Sequence, residues 1–346
     1  MQAPIETDAL VIGAGPVGLF QAFQLGLQGI ACHVVDALPH TGGQCIELYA
    51  DKPIYDIPGI PVCTGRELIE RLTQQLQPFP PTYHLNQQVS ALQRLADGRL
   101  QLSTTQGTSF VARCVFIAAG VGAFVPKRLA LEGLEAFEGQ QVFHTLPPEF
   151  QLQGLHLMVT GDNDNALETA IQAAQQASDR AASVTLMHRR DQFQARPELV
   201  QSLRQLCDQG GMRFVAAQPT ACVSHDHRLT GLEVLTAQGE TEVLRADVVV
   251  ASLGLSPRLG PLAEWGLALE RKQLPVQTDS FSTTESGIFA VGDINTYPGK
   301  KKLILCGFHE ATLAAFAAAA LLHPAQKTLL QYTTTSTLLH QRLGLL

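Results

Sequence analysis

The stretch ALVIGAGPVGLFQAFQLG, residues 9–26, decides the fold of this chain. It begins as a short apolar run, passes through three glycines, and continues with apolar residues at helical spacing. A second apolar run, IACHVVD, follows at residues 30–36. This order predicts a strand, a tight turn, a helix and a parallel strand, which together form the β-α-β unit of a doubly wound domain.

The three glycines, Gly13, Gly15 and Gly18, fit the pattern G-x-G-x-x-G and include Pro16 at the start of the helix. In this pattern the first glycine permits the turn, the second lets the backbone approach a pyrophosphate, and the third lets helix and strand pack closely. Asp36 ends the second strand, where a carboxylate accepts hydrogen bonds from ribose hydroxyls and repels a 2′-phosphate. The first unit is therefore predicted to bind FAD or NAD.

A second strand, turn and helix begin near Leu155, and a further strand is expected at residues 183–188. Two such beginnings predict an α/β fold with two Rossmann-like dinucleotide-binding domains. A pattern similar to that of the first unit recurs late in the chain. It consists of GIFAVGD at residues 287–293 and an alanine-rich helix expected from about Glu310. The second domain is therefore expected to be inserted into the first. The expected boundaries are 1–121 with 256–346 for the first domain and 122–255 for the second.

Composition and charge exclude several other classes of protein. The chain has 346 residues, of which 45% are hydrophobic and 16% are charged, as expected of a folded core rather than a disordered chain. The net charge of −7 argues against a general nucleic-acid binder. No two of the seven cysteines are three positions apart, and the 11 histidines are scattered, so neither a C-x-x-C pair nor a metal site is predicted.

The N-terminal residues show no basic segment followed by an apolar stretch, so no export signal is predicted. The longest apolar run, residues 313–322, is half as long as a bilayer crossing requires. We therefore expect a cytoplasmic protein without a membrane span, which agrees with unpaired thiols in a reducing compartment.

Two further patterns extend the predicted dinucleotide site. Thr41-Gly42-Gly43-Gln44 forms a second glycine loop near the same strand ends, and Gly292-Asp293 places a carboxylate after a buried strand. Together with the first motif, these patterns resemble the three FAD contacts of the two-dinucleotide-binding-domain flavoproteins. A flavin ring requires flat apolar or aromatic cover, together with a positive end near its N1 and O2 atoms. The start of the helix near Glu310 is expected to supply that positive dipole.

Four stretches resemble the ferredoxin (flavodoxin)–NADP+ reductases of the thioredoxin-reductase-like type, in order and over nearly the whole chain. They are GAGPVGLFQAFQLG, TGGQCIELYADKPIYDIPG, VTLMHRRDQFQA and GIFAVGDINTYPGKKKLILCGFHEATLAA. The Y-P-G-K stretch after Gly292-Asp293 is a narrow signature of this subfamily. A thioredoxin reductase carries its redox cysteines just before the second nucleotide motif, where VFHTLPPEF, residues 142–150, has none. The resemblance therefore argues against thioredoxin reduction.

The resemblance implies non-covalent FAD, NADP, and a homodimer that passes electrons between NADPH and a one-electron carrier, ferredoxin or flavodoxin. Electrons would pass by hydride transfer to the flavin and then singly through a semiquinone. Hydride transfer to a flavin needs no general acid, so no residue is nominated as an acid–base catalyst. Tyr49 is implied to stack on one face of the isoalloxazine, and Tyr332, which stands where the family has a histidine, is a candidate for the second stacking ring. The implied FAD contacts are Gly13, Gly15, Pro16, Gly18, Asp36, Gly43, Gln44, Tyr49, Val89, Phe124, Gly292, Asp293 and Thr334. The chain beyond Thr335 is either a frayed tail or a segment that packs on a partner subunit.

The second nucleotide motif departs most from the family. Where the family reads G-G-G-D-S-A, this chain reads GDNDNA at residues 161–166, losing the middle glycine and gaining a second carboxylate. Against this, two arginines follow the next strand, where guanidinium groups would bind a 2′-phosphate. Arg196 is near enough to replace a third arginine of the family. The implied NADP contacts are Gly161, Asn163, Asn165, His188, Arg189 and Arg190.

Lys300, Lys301 and Lys302 form a basic run beside the expected flavin site, which could steer an acidic ferredoxin or flavodoxin onto an otherwise negative protein. Two alternatives remain open from the sequence. One is an FAD-binding sensor or regulatory protein with impaired use of NADPH, and the other is a flavoprotein related to disulfide reductases but without their C-x-x-C pair.

Overall fold

The structure is a computed structural model that describes residues 3–176, 180–325 and 330–345. The chain forms two compact units, one made of residues 1–124 and 257–346 and the other of residues 125–256. The second unit is thus continuous in sequence, whereas the first is assembled from both ends of the chain. These observed limits are the ones used below.

The helices, numbered along the chain, are α1 (Pro16–Leu27), α2 (Gln44–Glu47), α3 (Gly65–Gln75), α4 (Asp164–Gln175), α5 (Pro197–Asp208), α6 (Ile304–Leu322) and α7 (Thr337–Arg342). The strands are β1 (Ile5–Ile12), β2 (Cys32–Val35), β3 (Pro53–Ile54), β4 (Cys63–Thr64), β5 (Thr82–His84), β6 (Val89–Arg94), β7 (Leu100–Thr104), β8 (Ser109–Ile117), β9 (Ala123–Pro126), β10 (Val142–Phe143), β11 (His156–Thr160), β12 (Ser183–His188), β13 (Arg213–His225), β14 (Arg228–Thr236), β15 (Thr241–Arg245), β16 (Val248–Ala251), β17 (Leu255–Arg258), β18 (Leu274–Pro275), β19 (Ile288–Ala290) and β20 (Asn295–Thr296).

The first unit is built on a sheet with the strand order β5-β2-β1-β8-β7-β6, and β19 also pairs with β8. Strand β1 runs parallel to both β2 and β8, so the predicted β-α-β unit is present. Helix α1 joins β1 to β2 and begins with Pro16, whose missing N–H and fixed φ suit the first helical position. The carboxyl ends of the parallel strands therefore open beside the N-terminus of α1.

The second unit repeats this plan on its own sheet, with the strand order β10-β16-β11-β12-β13-β14-β15. Strands β11 and β12 are parallel and joined by α4, which starts at Asp164. The prediction of an α/β fold with two Rossmann-like units is confirmed.

Helix α6 starts at Ile304, so the prediction that it begins near Glu310 is wrong. With 19 residues, it is the one helix among those described that is long and apolar enough to cross a membrane. However, Ala311, Ala314 and Ala318 are fully buried in the core of the first unit, and Glu310 carries a carboxylate within the same helix. These contacts are those of a core helix.

The C-terminal segment is ordered against its own unit rather than frayed. Helix α7 begins at Thr337 and is capped by Ser336, whose hydroxyl accepts from the N–H of Leu339. Leu339 is buried, and the Arg342 guanidinium donates to the carbonyl oxygen of Leu27 at the end of α1. Residues 330–345 therefore end in a docked helix, whereas residues 326–329 lie outside the described part of the chain.

Candidate functional site

The first unit contains a cavity of about 290 Å³ at the carboxyl ends of β1, β2 and β8. Ten of the sequence-predicted FAD residues line it. They are Gly13, Gly15, Pro16, Asp36, Gly43, Gln44, Tyr49, Val89, Gly292 and Asp293. Segments distant in sequence thus meet at one site, as the glycine patterns predicted.

Contact distances explain why the first turn requires glycine. A Cβ atom on Gly18 would lie 1.9 Å from the carbonyl oxygen of Gly13, so no larger residue fits where α1 crosses the turn. Gly13 has φ of +109° and donates its N–H to Val35 at 2.8 Å, which fastens the turn to β2. Gly18 thus acts beneath the cavity rather than in its wall.

Gly15 faces Gly43 across the cavity wall. A Cβ atom on Gly43 would lie 3.1 Å from the Cα atom of Gly15, and Gly43 itself has φ of +52°. The two glycine loops therefore approach each other backbone to backbone, and Gln44 begins the short helix α2 immediately afterwards. This leaves uncovered backbone at the N-terminus of α1, which is the arrangement that accepts phosphate groups.

Asp36 already binds the protein backbone. Its Oδ2 atom accepts the N–H of Ala14 at 2.5 Å, and its Oδ1 atom accepts the N–H of Leu38 at 2.8 Å. Burial raises the pKa of this carboxyl, although the two backbone hydrogen bonds and His40 oppose that rise. Each carboxylate oxygen retains a further acceptor position. Asp36 therefore stabilises the glycine turn while still presenting acceptors to the cavity.

Tyr49 follows α2 and is half-buried at the cavity wall. The thiol of Cys45 donates to its hydroxyl oxygen over 3.6 Å. Burial raises the pKa of Tyr49, and the neighbouring Cys45 and the Asp293 carboxylate add to that rise. The phenol is therefore neutral at physiological pH, and its ring is available as flat cover.

A buried network of charges lies under the Gly292–Asp293 turn. Glu310 is fully buried, and its carboxylate accepts from the N–H of Gly292 at 2.7 Å. Lys300 pairs with the same carboxylate. This corrects two sequence predictions. The dipole of α6 begins at Ile304, which lines the cavity beside Lys302, and Lys300 cannot contact a partner because its charge is already paired inside the protein.

Two predicted positions do not line the cavity in this chain, and the side chain of a third is not described. Tyr332 is 65% exposed, and Thr334 is likewise exposed, so neither covers the cavity here. Phe124 lies in β9, and its side chain is outside what the structure describes.

One wall of the cavity was missed by the sequence analysis. Leu259, Leu262 and Trp265 follow the second unit in sequence and line the cavity together with Gln87 and Gln88. None of them belongs to a motif. The sequence predicted only that residues after about 256 belong to the first domain, and therefore that some of them would contribute to its cavity.

The altered loop of the second unit is a well-formed helix start. Asn163 caps α4 by accepting the N–H of Ala166 at 3.0 Å, and its Nδ2 atom donates to the carbonyl oxygen of Ser252 at 2.8 Å. The Asp162 carboxylate lies 3.7 Å from Nε2 of His188. The added polar residues therefore have partners within the unit, and they leave the N-terminus of α4 in place.

The arginines after β12 divide into two groups. Arg196 forms surface ion pairs with Asp164 and Glu168, and its replacement of a third phosphate-binding arginine stays a prediction. Arg189 and Arg190 are exposed, and neither forms an ion pair within the part of the chain that the structure describes. Their guanidinium groups are thus available at the carboxyl end of β12.

Comparison with known proteins agrees with this geometry. The sequence profile of the pyridine nucleotide-disulphide oxidoreductase family matches residues 7–318. The chain is 54% identical to a ferredoxin–NADP reductase of Albidiferax ferrireducens, covering 99% of this chain and 97% of that protein. It is 58% identical to a ferredoxin–NADP reductase of Paracidovorax citrulli, covering 98% of this chain and 96% of that one.

The chain belongs to the ferredoxin–NADP reductase family.

Solved structures of other enzymes share the fold of this ferredoxin–NADP reductase family member. A bacillithiol disulfide reductase from Staphylococcus aureus superposes with a TM-score of 0.59 at 15% identity, covering 93% of this chain and all of that one. A thioredoxin reductase from T. acidophilum superposes with a TM-score of 0.55 at 19% identity, covering 92% of this chain and 99% of that one. At these identities only the fold is shared.

The cysteines form no disulfide within the part of the chain that the structure describes. All seven are free thiols, and the segment before the second nucleotide motif carries none. Within the described ranges no group of three or more histidine, cysteine or acidic side chains could hold a metal ion.

Proposed function

We propose that this protein is an FAD-dependent ferredoxin–NADP reductase, which transfers electrons between NADPH and ferredoxin or flavodoxin. The observation that carries the proposal is the cavity of the first unit. In a chain more than half identical to named ferredoxin–NADP reductases, it unites the glycine turn, Asp36, the Gly43–Gln44 loop and the Gly292–Asp293 turn. Bound there, FAD supplies the chemistry that links a two-electron hydride donor to a one-electron carrier.

The residues present fit FAD. The facing glycine backbones at the N-terminus of α1 leave a cradle for a pyrophosphate that a single Cβ atom would begin to fill. Asp36 would hold a ribose, and Asp293 and Gln44 would contact the flavin end of the cofactor. Tyr49 would cover the isoalloxazine with its ring. Val89 and the apolar wall around Trp265 would exclude water from the remaining surface.

The second unit, residues 125–256, is proposed to bind NADP(H). Asn163 maintains the helix N-terminus that would face the pyrophosphate, while Arg189 and Arg190 would bind the 2′-phosphate. The pairing of Asp164 with Arg196 removes one of the two unfavourable charges from this loop. These contacts favour a working NADPH site over the alternative of a sensor that cannot use NADPH.

The acceptor would dock near the exposed Lys301 and Lys302. Ferredoxins and flavodoxins are acidic, and this protein carries a net charge of −7, so a local positive patch beside the cavity favours a productive orientation. Lys302 lines the cavity itself, which places this charge at the flavin site.

The protein is further proposed to be a cytoplasmic homodimer. Leu330, Tyr332, Leu338 and Leu345 are exposed in the single chain, so the C-terminal segment offers apolar surface that a second copy could cover. Light scattering during gel filtration would measure the mass, and a monomer would contradict the dimer.

The test of the proposed activity is the NADPH-dependent reduction of a ferredoxin or flavodoxin, followed by transfer to cytochrome c. The proposal expects rapid cytochrome reduction that requires both NADPH and the carrier. A protein that contains FAD but reduces neither carrier would be a sensor instead.

A further inference from the structure

The buried charges beneath the Gly292–Asp293 turn have no role in the function proposed above. Glu310 is 0% exposed and the side chain of Lys300 is 7% exposed. Their charged atoms, Lys300 Nζ and Glu310 Oε1, lie 2.5 Å apart. Lysine and glutamate are almost never placed so deeply unless they are paired, because desolvation strongly disfavours a buried charge. The pair is therefore a specific feature of this site.

The pair holds both backbone polar groups of Gly292. Its N–H donates to Glu310 Oε2 at 2.7 Å, and its carbonyl oxygen accepts from Lys300 Nζ at 2.9 Å. Gly292 has φ of +80°, a left-handed conformation that suits glycine. Opposite ends of one ion pair thus bind the two sides of the residue that precedes Asp293.

The Glu310 carboxylate is fully occupied by donors. Besides Gly292 and Lys300, it accepts from Asn295 Nδ2 at 2.8 Å and from the Tyr297 hydroxyl at 2.9 Å. Four donors on two oxygens match the acceptor capacity of an ionised carboxylate. The amide of glutamine offers one oxygen only, so a neutral replacement could not satisfy all four groups. The network therefore requires the charge on Glu310.

Gly292 and Asp293 both line the cavity proposed to hold FAD. We infer that the buried Lys300–Glu310 pair is a positioning device for FAD, which sets the orientation of the Gly292–Asp293 turn and thereby the affinity for the flavin and its reduction potential. Lys300 and Glu310 are positioning residues, since they act through Gly292 rather than by touching the cofactor. The inference rests on the proposed FAD site.

The primary test is Lys300→Met, with Lys127→Met as the matched control, because Lys127 is an exposed lysine of the second unit. The dissociation constant for FAD is measured by titrating apoprotein, and the midpoint potential by equilibration with a reference dye. Lys300→Met is expected to raise the dissociation constant by about tenfold or more, the effect of losing a hydrogen bond to a charged group. It is also expected to shift the potential, whereas Lys127→Met should leave both values unchanged.

Two additional variants keep the test decisive if Lys300→Met fails to fold. The double variant Lys300→Met/Glu310→Gln leaves no unpaired charge, and it should fold but still bind FAD weakly. Lys300→Arg retains the charge and should restore part of the affinity. The inference is overturned if Lys300→Met, or the double variant, binds FAD with the wild-type dissociation constant and potential while only its unfolding temperature falls. Absence of FAD binding by the wild-type protein would instead contradict the proposed function.

Discussion

Alanine substitutions at Gly15 and Gly18 should have opposite consequences, although the two glycines belong to one turn. A Cβ atom on Gly18 would lie 1.9 Å from the Gly13 carbonyl oxygen, far inside the 3.4 Å at which ordinary contact begins. Overpacking of this kind costs about 1–3 kcal/mol of unfolding free energy. Because the obstructing atom belongs to the backbone, the loss of stability in Gly18→Ala should lie at the upper end of this range. The unfolding temperature should then drop by roughly 2–4 °C for each kcal/mol lost.

Gly15→Ala should instead leave the fold intact and impair FAD binding. The nearest atom to a Cβ on Gly15 is the Cα of Gly43, 4.0 Å away, and its φ of −70° suits alanine. Replacing glycine at the helix cap lowers the free energy of unfolding, whereas the reduced freedom of the unfolded chain raises it. Each effect is up to about 1 kcal/mol, so the two largely cancel. However, the added methyl group occupies the proposed pyrophosphate cradle. Losing one hydrogen bond to a charged group, about 1.5–3 kcal/mol, weakens FAD binding by about 10- to 150-fold.

Both variants can be measured as apoproteins. Thermal unfolding followed by circular dichroism reports stability, and FAD titration reports affinity. Trp265 is the only tryptophan in the chain and lines the cavity, so quenching of its fluorescence provides a local signal of binding. The reasoning would be refuted if Gly15→Ala bound FAD as tightly as the wild type, or if Gly18→Ala were equally stable.

Three further outcomes are expected. Arg189→Ala and Arg190→Ala should each raise the dissociation constant for NADPH by about tenfold or more and leave that for NADH unchanged, and an equal effect on both nucleotides in calorimetric titrations would contradict the 2′-phosphate role. Asp162→Gly should tighten NADPH binding by removing a carboxylate near the phosphate loop; weaker binding would mean that its contact with His188 supports the loop. Arg342→Ala should lower the unfolding free energy by about 1 kcal/mol without changing FAD affinity, and a changed affinity would contradict a purely structural contact at the end of α1.

Local patterns predicted the parts of the site that depend on backbone shape. The G-x-G-x-x-G turn, the second glycine loop at Gly43 and the Gly292–Asp293 turn are short segments, and their glycines report close approach or positive φ directly. Asp36 was found by its position after β2. Such features can be predicted from the sequence because each depends on residues only a few positions apart.

Features that depend on tertiary contacts could not be predicted from the sequence. Lys300 was predicted to belong to a basic run that steers an acidic carrier, but it forms a buried ion pair with Glu310 of α6. Arg196 was expected to bind a phosphate, and its ion pairs with Asp164 and Glu168 did not follow from the local sequence. Trp265 carries no motif because its role in the cavity wall arises only from the return of the chain to the first unit. In each case the deciding partner is distant in sequence or indistinguishable from a surface residue.

The central claim is that NADPH reduces FAD held by the first unit and that the electrons pass to a one-electron carrier. The most direct measurement is an anaerobic stopped-flow record of the visible flavin band after mixing the FAD-containing protein with NADPH or, separately, with NADH. The account predicts rapid bleaching by NADPH, much slower bleaching by NADH, and recovery of the band when oxidised ferredoxin or flavodoxin is added. A flavin band that persists in the presence of NADPH would contradict it.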